Sequence, residues 1–167
     1  WTAANIDTNA DGAFDVHVAD MDGDGDLDIV SASRFDDTIA WYENDGASDP
    51  TWTAADIDTN ADYAYGVYVA DMDGDGDLDL IVNTIHSGTL LFRNTGAGFS
   101  QALGKVAGMD KARGGMSIAI ADIDGDGLLD FYVTYYRDTT LMDMPNTHFN
   151  FRTVGNRKVI SRVNGIP

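Results

Sequence analysis

The chain has 167 residues, 44% of them hydrophobic, and its 28 acidic and 10 basic side chains give a net charge of −18. Such a charge repels nucleic acid and anionic membrane surfaces, and no apolar run approaches the roughly 20 residues that cross a bilayer. The absence of cysteine excludes disulfides, thiol catalysis and zinc–thiolate sites. With no initiator Met and no leader, we expect a processed mature chain or a piece of a longer one.

An internal repeat of 51 residues organises the sequence. Residues 1–11 and 52–62 match at 10 of 11 positions, and three Asp-rich loops begin at Asp20, Asp71 and Asp122. Alternating β-branched residues predict a first strand before each loop, at residues 16–19, 67–70 and 118–121. Second strands are predicted at residues 27–32, 78–82 and 128–133, third strands at 38–42 and 89–92, and fourth strands near residues 52, 99 and 149.

Four strands in each period, without an amphipathic helix, predict an all-β fold of three four-stranded β-propeller-type blades. The repeats would span residues 1–51, 52–98 and, as a divergent third copy with a C-terminal extension, 99–167. A further fourth-type strand is expected at Trp1, and the first strand of each blade is expected to be buried on both sides. Since propellers have about 4–8 blades, this chain alone would not close the ring.

The Asp-rich loops carry the chemistry. We number their positions 1 to 9: loop 1 is residues 20–28, loop 2 is residues 71–79 and loop 3 is residues 122–130. Glycines at positions 4 and 6 allow the tight curl that would make the carboxylates converge. Converging carboxylates repel one another unless a cation joins them, and an irregular all-oxygen site favours Ca²⁺ over Mg²⁺. We therefore expect three Ca²⁺ ions per chain.

Comparison of the three loops predicts the ligands. Positions 1, 3, 5 and 9 are Asp in every loop, whereas position 7 changes to Leu in loop 3, so position 7 is expected to offer its backbone carbonyl. The side-chain ligands would be Asp20, Asp22, Asp24 and Asp28; Asp71, Asp73, Asp75 and Asp79; and Asp122, Asp124, Asp126 and Asp130. The carbonyl ligands would be those of Asp26, Asp77 and Leu128.

Two other interpretations of the loops fail. An EF-hand requires a Glu at position 12, where this chain has Ser31, Val82 and Val133. An Asp-Gly turn that only solubilises a hairpin could explain one such loop. It does not explain three loops with the same Asp positions in register.

The segments at residues 19–30, 70–82 and 121–133 resemble the FG-GAP/VCBS-type repeat, which forms the blades of integrin-alpha-like β-propellers and of many extracellular microbial proteins. The resemblance implies a propeller, Ca²⁺ between the first and second strands of each blade, and an extracellular or cell-surface location. The Phe-Gly…Gly-Ala-Pro segment of the integrin repeat is absent, and the third copy diverges after Tyr136.

Three functions are compatible with these features. The first is a calcium-binding structural or adhesive module that self-associates head to tail into a ring or filament, or is covered by the rest of a longer chain. A charge of −19 over residues 1–100 against +1 over residues 101–167 would favour such contacts. The second is a lectin-like glycan-binding propeller, so glycans and cell-surface proteins are further candidate partners. The third class is an enzyme, but we expect no catalysis by this chain, because His17, His86 and His148 form no recognisable catalytic motif. It could still be a non-catalytic segment of a larger secreted enzyme.

Overall fold

The computed structural model describes residues 5–102, 114–135, 149–154 and 157–163, and all regular structure in these ranges is β-strand. The strands are β1 (Ala13–Ala19), β2 (Asp28–Ser33), β3 (Thr38–Asn44), β4 (Trp52–Asp58), β5 (Ala64–Ala70), β6 (Asp79–Thr84), β7 (Thr89–Asn94), β8 (Phe99–Ala102), β9 (Gly115–Ala121), β10 (Asp130–Tyr135), β11 (Phe149–Val154) and β12 (Arg157–Val163).

The strands form open antiparallel sheets that follow chain order. The first sheet has the order β1-β2-β3-β4 and the second β5-β6-β7-β8, while β9 pairs with β10 and β11 with β12. The chain divides into two compact units, Trp1–Tyr136 and Arg137–Pro167; the first three sheets lie in the first unit and the β11–β12 hairpin in the second. The all-β, four-stranded architecture that the sequence predicts is thus confirmed.

The strand predictions are confirmed in the first two repeats. Each predicted first, second and third strand overlaps an observed one, and fourth strands begin at Trp52 and Phe99. In the third repeat β9 and β10 are present and a strand begins at Phe149, whereas the predicted third strand falls on residues 136–148, outside the described residues. At the start of the chain, the strand predicted at Trp1 falls on residues 1–4, which also lie outside the described residues, and residues 5–12 form no strand.

The sheets cross the predicted repeat boundaries. The first sheet runs from Ala13 to Asp58 because β4 pairs antiparallel with β3, from Asn44 opposite Trp52 to Ile39 opposite Asp58. The predicted boundaries at residues 51 and 98 therefore fall between the third and fourth strands of one sheet. Sequence repetition sets the period of the repeat, but it does not reveal the strand at which a sheet begins.

A continuous apolar core lies between the first two sheets. From the first sheet, Val30, Ala32 and Ile39 contribute side chains that project from one face of β2 and β3. From the second sheet, the facing side chains are those of Val67, Leu80, Val82, Leu90 and Phe92. Trp41 packs against this core and meets the ring of Phe99 edge-on, at 6.2 Å between centroids, so this aromatic residue fills space between the two sheets as predicted.

The expectation that every first strand is buried on both sides is wrong for β1. Val16 and Val18 are 59% and 53% exposed, whereas Val67, which lies 51 residues after Val16, is buried. The difference arises because the first sheet covers the Val67 face of the second, whereas within the described part of the first unit no sheet covers the Val16 face of the first. We call this uncovered surface, with Val16, Val18 and Ile29, the open face.

Candidate metal centres

Each Asp-rich loop joins the first strand of a sheet to the second. The glycines at positions 4 and 6 have positive φ, at 78° and 98° for Gly23 and Gly25 and at 77° and 98° for Gly74 and Gly76. Side chains resist these backbone angles, so glycine permits the curl that the sequence predicts. The Asp at position 1 holds the curl, because Asp20 accepts from the N–H groups of Gly23 and Gly25 at 2.8 and 3.1 Å.

In each loop the curl brings three carboxylates together. The carboxylates at positions 1, 3 and 9 offer oxygens that all lie within 4.8 Å of one another. The three groups are Asp20, Asp22 and Asp28; Asp71, Asp73 and Asp79; and Asp122, Asp124 and Asp130. An all-carboxylate donor set in an irregular loop fits a hard cation such as Ca²⁺. These nine residues are predicted ligands that the fold places side by side.

In loops 1 and 2 the carboxylate at position 9 is buried and anchors its loop. Asp28 accepts from the N–H of Met21 at 3.1 Å through Oδ2 and from the N–H of Asn44 at 2.8 Å through Oδ1. Asp79 makes the same pair of contacts with Met72 at 3.0 Å and Asn94 at 2.9 Å. Position 9 thus ties the start of the loop to the end of the third strand of the same sheet.

The electrostatics of loops 1 and 2 show unbalanced negative charge. Burial raises the pKa of Asp79, and the nearby charges of Asp73 and Asp75 raise it further, against the opposing effect of its two backbone hydrogen bonds. The pKa of Asp22, which is exposed, is also raised, by partial desolvation and by repulsion from Asp24, Asp28 and Asp20. A bound cation would offset both shifts, because a nearby positive charge favours the ionised carboxylates.

Loop 2 also carries an ion pair with Arg93. Its guanidinium contacts Asp73 at 2.5 Å and Asp75 at 3.1 Å, and hydrogen bonding to Asp77 and Arg93 lowers the pKa of Asp75. Tyr42 lies opposite Ile29, and Phe92 lies opposite Leu80, which is 51 residues after Ile29. Tyr42 and Phe92 are therefore equivalent in the two sheets, so the first sheet has Glu43 at the position of Arg93. The Asp-rich motif alone did not predict this cation as part of the site.

Positions 5 and 7 lie outside the groups of three. Asp24 and Asp75, at position 5, accept from the N–H of position 7 at 2.9 and 3.0 Å. The side chain of Asp26, at position 7, leans towards Gly46, where an added Cβ would overlap Asp26 Oδ2. The side chain of Asp26 is therefore directed to the turn after β3, which agrees with a carbonyl ligand at position 7. The ligand roles of positions 5 and 7 remain predictions.

Loop 3 repeats the curl in a more exposed setting. Asp122 accepts from Gly125 and Gly127 at 2.7 and 3.0 Å, and Asp130 accepts from Ile123 at 2.9 Å. Leu128, at position 7, donates its N–H to Asp126 at 2.8 Å. The backbone of loop 3 therefore keeps the contacts of the other loops although an apolar side chain stands at position 7.

His86 lies beside a carboxylate, a contact that was not predicted from the sequence. The Nδ1 atom of His86 is 3.0 Å from Asp62, and both side chains are exposed. His148 lies outside the described residues.

Comparison with known protein families identifies the repeat. The family profile described as FG-GAP-like repeat matches residues 20–82 and again residues 71–133, so each match runs from one Asp-rich loop to the strand after the next. No curated protein sequence matches the chain. In the described residues, no helix is long and apolar enough to cross a membrane.

Proposed function

Because this chain belongs to the FG-GAP-like repeat family, we propose that it is an extracellular structural or adhesive module whose blades are rigidified by Ca²⁺. Its loops would hold three ions per chain. Because each Asp-rich loop joins the first and second strands of a sheet, the role of a bound ion would be to brace that hairpin rather than to activate a substrate. The module would act without catalysis, by presenting a rigid surface to partners.

The observation that carries this proposal is the repeated group of three carboxylates. The group recurs in all three loops at positions 1, 3 and 9, with oxygens within 4.8 Å of one another. In loops 1 and 2 the member at position 9 is buried, as Asp28 and Asp79. Burial of a carboxylate beside other carboxylates is costly unless a cation is present. Three such groups in register favour a shared ligand over three coincidental acidic turns.

Calcium stoichiometry tests the proposal. Native mass spectrometry of the chain in Ca²⁺ should find three ions bound, with affinities of the order of extracellular modules, about 10⁻³ M or somewhat tighter. Fewer than two ions per chain would contradict the proposal. The matched control is a chain with Asp22→Ala, Asp73→Ala and Asp124→Ala together, which should bind none, because each change removes one member of a group of three.

The open face supports a second part of the proposal, which is self-association. The equivalent face of the second sheet is covered by the first sheet, through side chains that include Val30. At the other end of the same unit, Tyr132 is the residue equivalent to Val30 two repeats later, 102 residues along the chain. Tyr132 is 66% exposed, whereas Val30 is buried. We propose that the open face of one copy docks on the outer face of β9 and β10 of a second copy, which would continue the sheet-on-sheet packing head to tail.

An aspartate on the open face should prevent this association. Sedimentation velocity in Ca²⁺ should show concentration-dependent assembly of the unmodified chain and a monomer for Val16→Asp, because docking would bury an unpaired charge. Phe35→Asp is the control, since Phe35 is similarly exposed but lies on the turn after β2. An unmodified chain that stays monomeric, or a Val16→Asp variant that assembles normally, would contradict self-association through this face.

A further inference from the structure

The side chain of Asn94 connects loop 2 to loop 1. Asn94 ends β7 and is only 5% exposed. Its main-chain N–H donates to Asp79 Oδ1 in its own sheet at 2.9 Å. Its side-chain Nδ2 donates to the carbonyl oxygen of Met21, in the loop of the neighbouring sheet, at 3.0 Å. One buried residue therefore bonds to both loops.

The connection continues to the position-9 carboxylate on each side. Met21, between Asp20 and Asp22, donates its N–H to Asp28 at 3.1 Å. The Oδ1 atom of Asn94 accepts from Gly96 at 3.1 Å, which orients the amide so that its nitrogen faces Met21. An unbroken series of contacts thus runs from Asp79 through Asn94 and Met21 to Asp28.

The first sheet contains a natural reference for Asn94. Asn44 makes the same local contacts, donating its N–H to Asp28 at 2.8 Å and accepting from Gly46 at 3.0 Å. Its Nδ2, however, donates to Leu27 in its own loop at 3.1 Å. Asn44 and Asn94 therefore differ in one contact, the bond that crosses from one sheet to the next.

From this geometry we propose that Asn94 couples the calcium sites of loops 1 and 2, so that occupancy of either raises the affinity of the other. The inference rests on the proposed calcium binding and deepens it. Metal in loop 2 would fix Asp79 and, through the end of β7, the amide of Asn94. That amide then holds Met21, between two predicted ligands of loop 1, in the curled conformation, so loop 1 loses less freedom when it binds. The effect must be reciprocal, because coupling between two binding equilibria is symmetric.

Site-resolved titration tests the coupling. In the ¹⁵N-labelled chain, the amides of Gly25 and Gly76 report loops 1 and 2 separately during a Ca²⁺ titration. Asp73→Ala disables loop 2 but leaves the Asn94 connection in place. It should weaken calcium binding to loop 1, as reported by the Gly25 amide, by about fivefold or more. In an Asn94→Ala background, Asp73→Ala should have no further effect at Gly25.

Asn44→Ala is the matched control, because it removes the same side-chain contact with the glycine two residues later but not the bond between the sheets. In that background the fivefold effect of Asp73→Ala should persist. Asn94→Asp, with Asn44→Asp as its control, keeps the acceptor for Gly96 and removes the donor, so it tests the bond if the alanine variant fails to fold. Coupling that survives both Asn94 changes, or independent binding in the unmodified chain, would overturn the inference while leaving calcium binding intact. Absence of any response at both glycines would overturn the inference and the proposed function together.

Discussion

Removal of calcium with excess EGTA is expected to lower the melting temperature by about 5–10 °C for each site emptied. The estimate follows from mass action, since a ligand at 100 times its Kd stabilises the folded state by about 2.7 kcal/mol. For a chain of this size, 1 kcal/mol corresponds to about 2–4 °C. Emptied loops also leave crowded carboxylates beside the β1–β2 and β5–β6 ladders, which adds repulsion. Differential scanning calorimetry with and without EGTA measures the shift.

Magnesium provides the control for this experiment. Mg²⁺ at the same concentration should restore little of the lost stability, because it prefers octahedral geometry and retains its waters. A melting temperature that does not change in EGTA would show that the loops are solubilising turns. Recovery in Mg²⁺ equal to that in Ca²⁺ would show that loop geometry does not select calcium.

Replacement of the buried position-9 carboxylate should have the second large effect. Asp79→Ala removes a predicted ligand and leaves the N–H groups of Met72 and Asn94 without their acceptor. An unsatisfied buried donor costs about 1–3 kcal/mol. Because Asn94 is buried, the variant should be destabilised in EGTA as well as in Ca²⁺. Calcium binding at loop 2 should be lost. Chemical denaturation in both conditions and the Gly76 titration measure the two effects.

Asp77→Leu is the comparison for Asp79→Ala, because the chain itself carries Leu128 at position 7 of loop 3. We expect this variant to bind calcium at loop 2 nearly as the unmodified chain does. The same result is expected for Asp26→Leu in loop 1, whereas Asp24→Ala should weaken its site severely. Equal loss from Asp77→Leu and Asp79→Ala would show that position 7 binds through its side chain.

The strands and loops could be predicted from the sequence because their signals are local and repeated. Alternation places β1, β5 and β9, and the glycines at positions 4 and 6 adopt the positive φ that the curl requires. The grouping of positions 1, 3 and 9 also follows from that curl. These features depend on neighbouring residues along the chain, which the three copies show side by side.

Features that depend on register and on neighbouring sheets could not be predicted. Trp41 and Phe92 align in the 51-residue repeat, yet Trp41 pairs with Val30 and Phe92 with Leu80, so the two aromatic rings project from opposite faces of their sheets. A register change of one residue reverses the side chains of a strand. The same change places Arg93 where the first sheet has Glu43. Similarly, Val67 is buried and the equivalent Val16 is exposed because a neighbouring sheet covers Val67. The sequence of a strand does not show which sheet will lie beside it.

The most direct test of the central claim is an anomalous difference map from crystals of the chain grown in Ca²⁺. We predict one calcium peak in each loop, contacted by the carboxylates of positions 1, 3, 5 and 9 and by the carbonyl of position 7. In loop 2 these would be Asp71, Asp73, Asp75 and Asp79 with the carbonyl of Asp77. Peaks absent from all three loops at millimolar Ca²⁺, or lying away from the groups at positions 1, 3 and 9, would contradict the account.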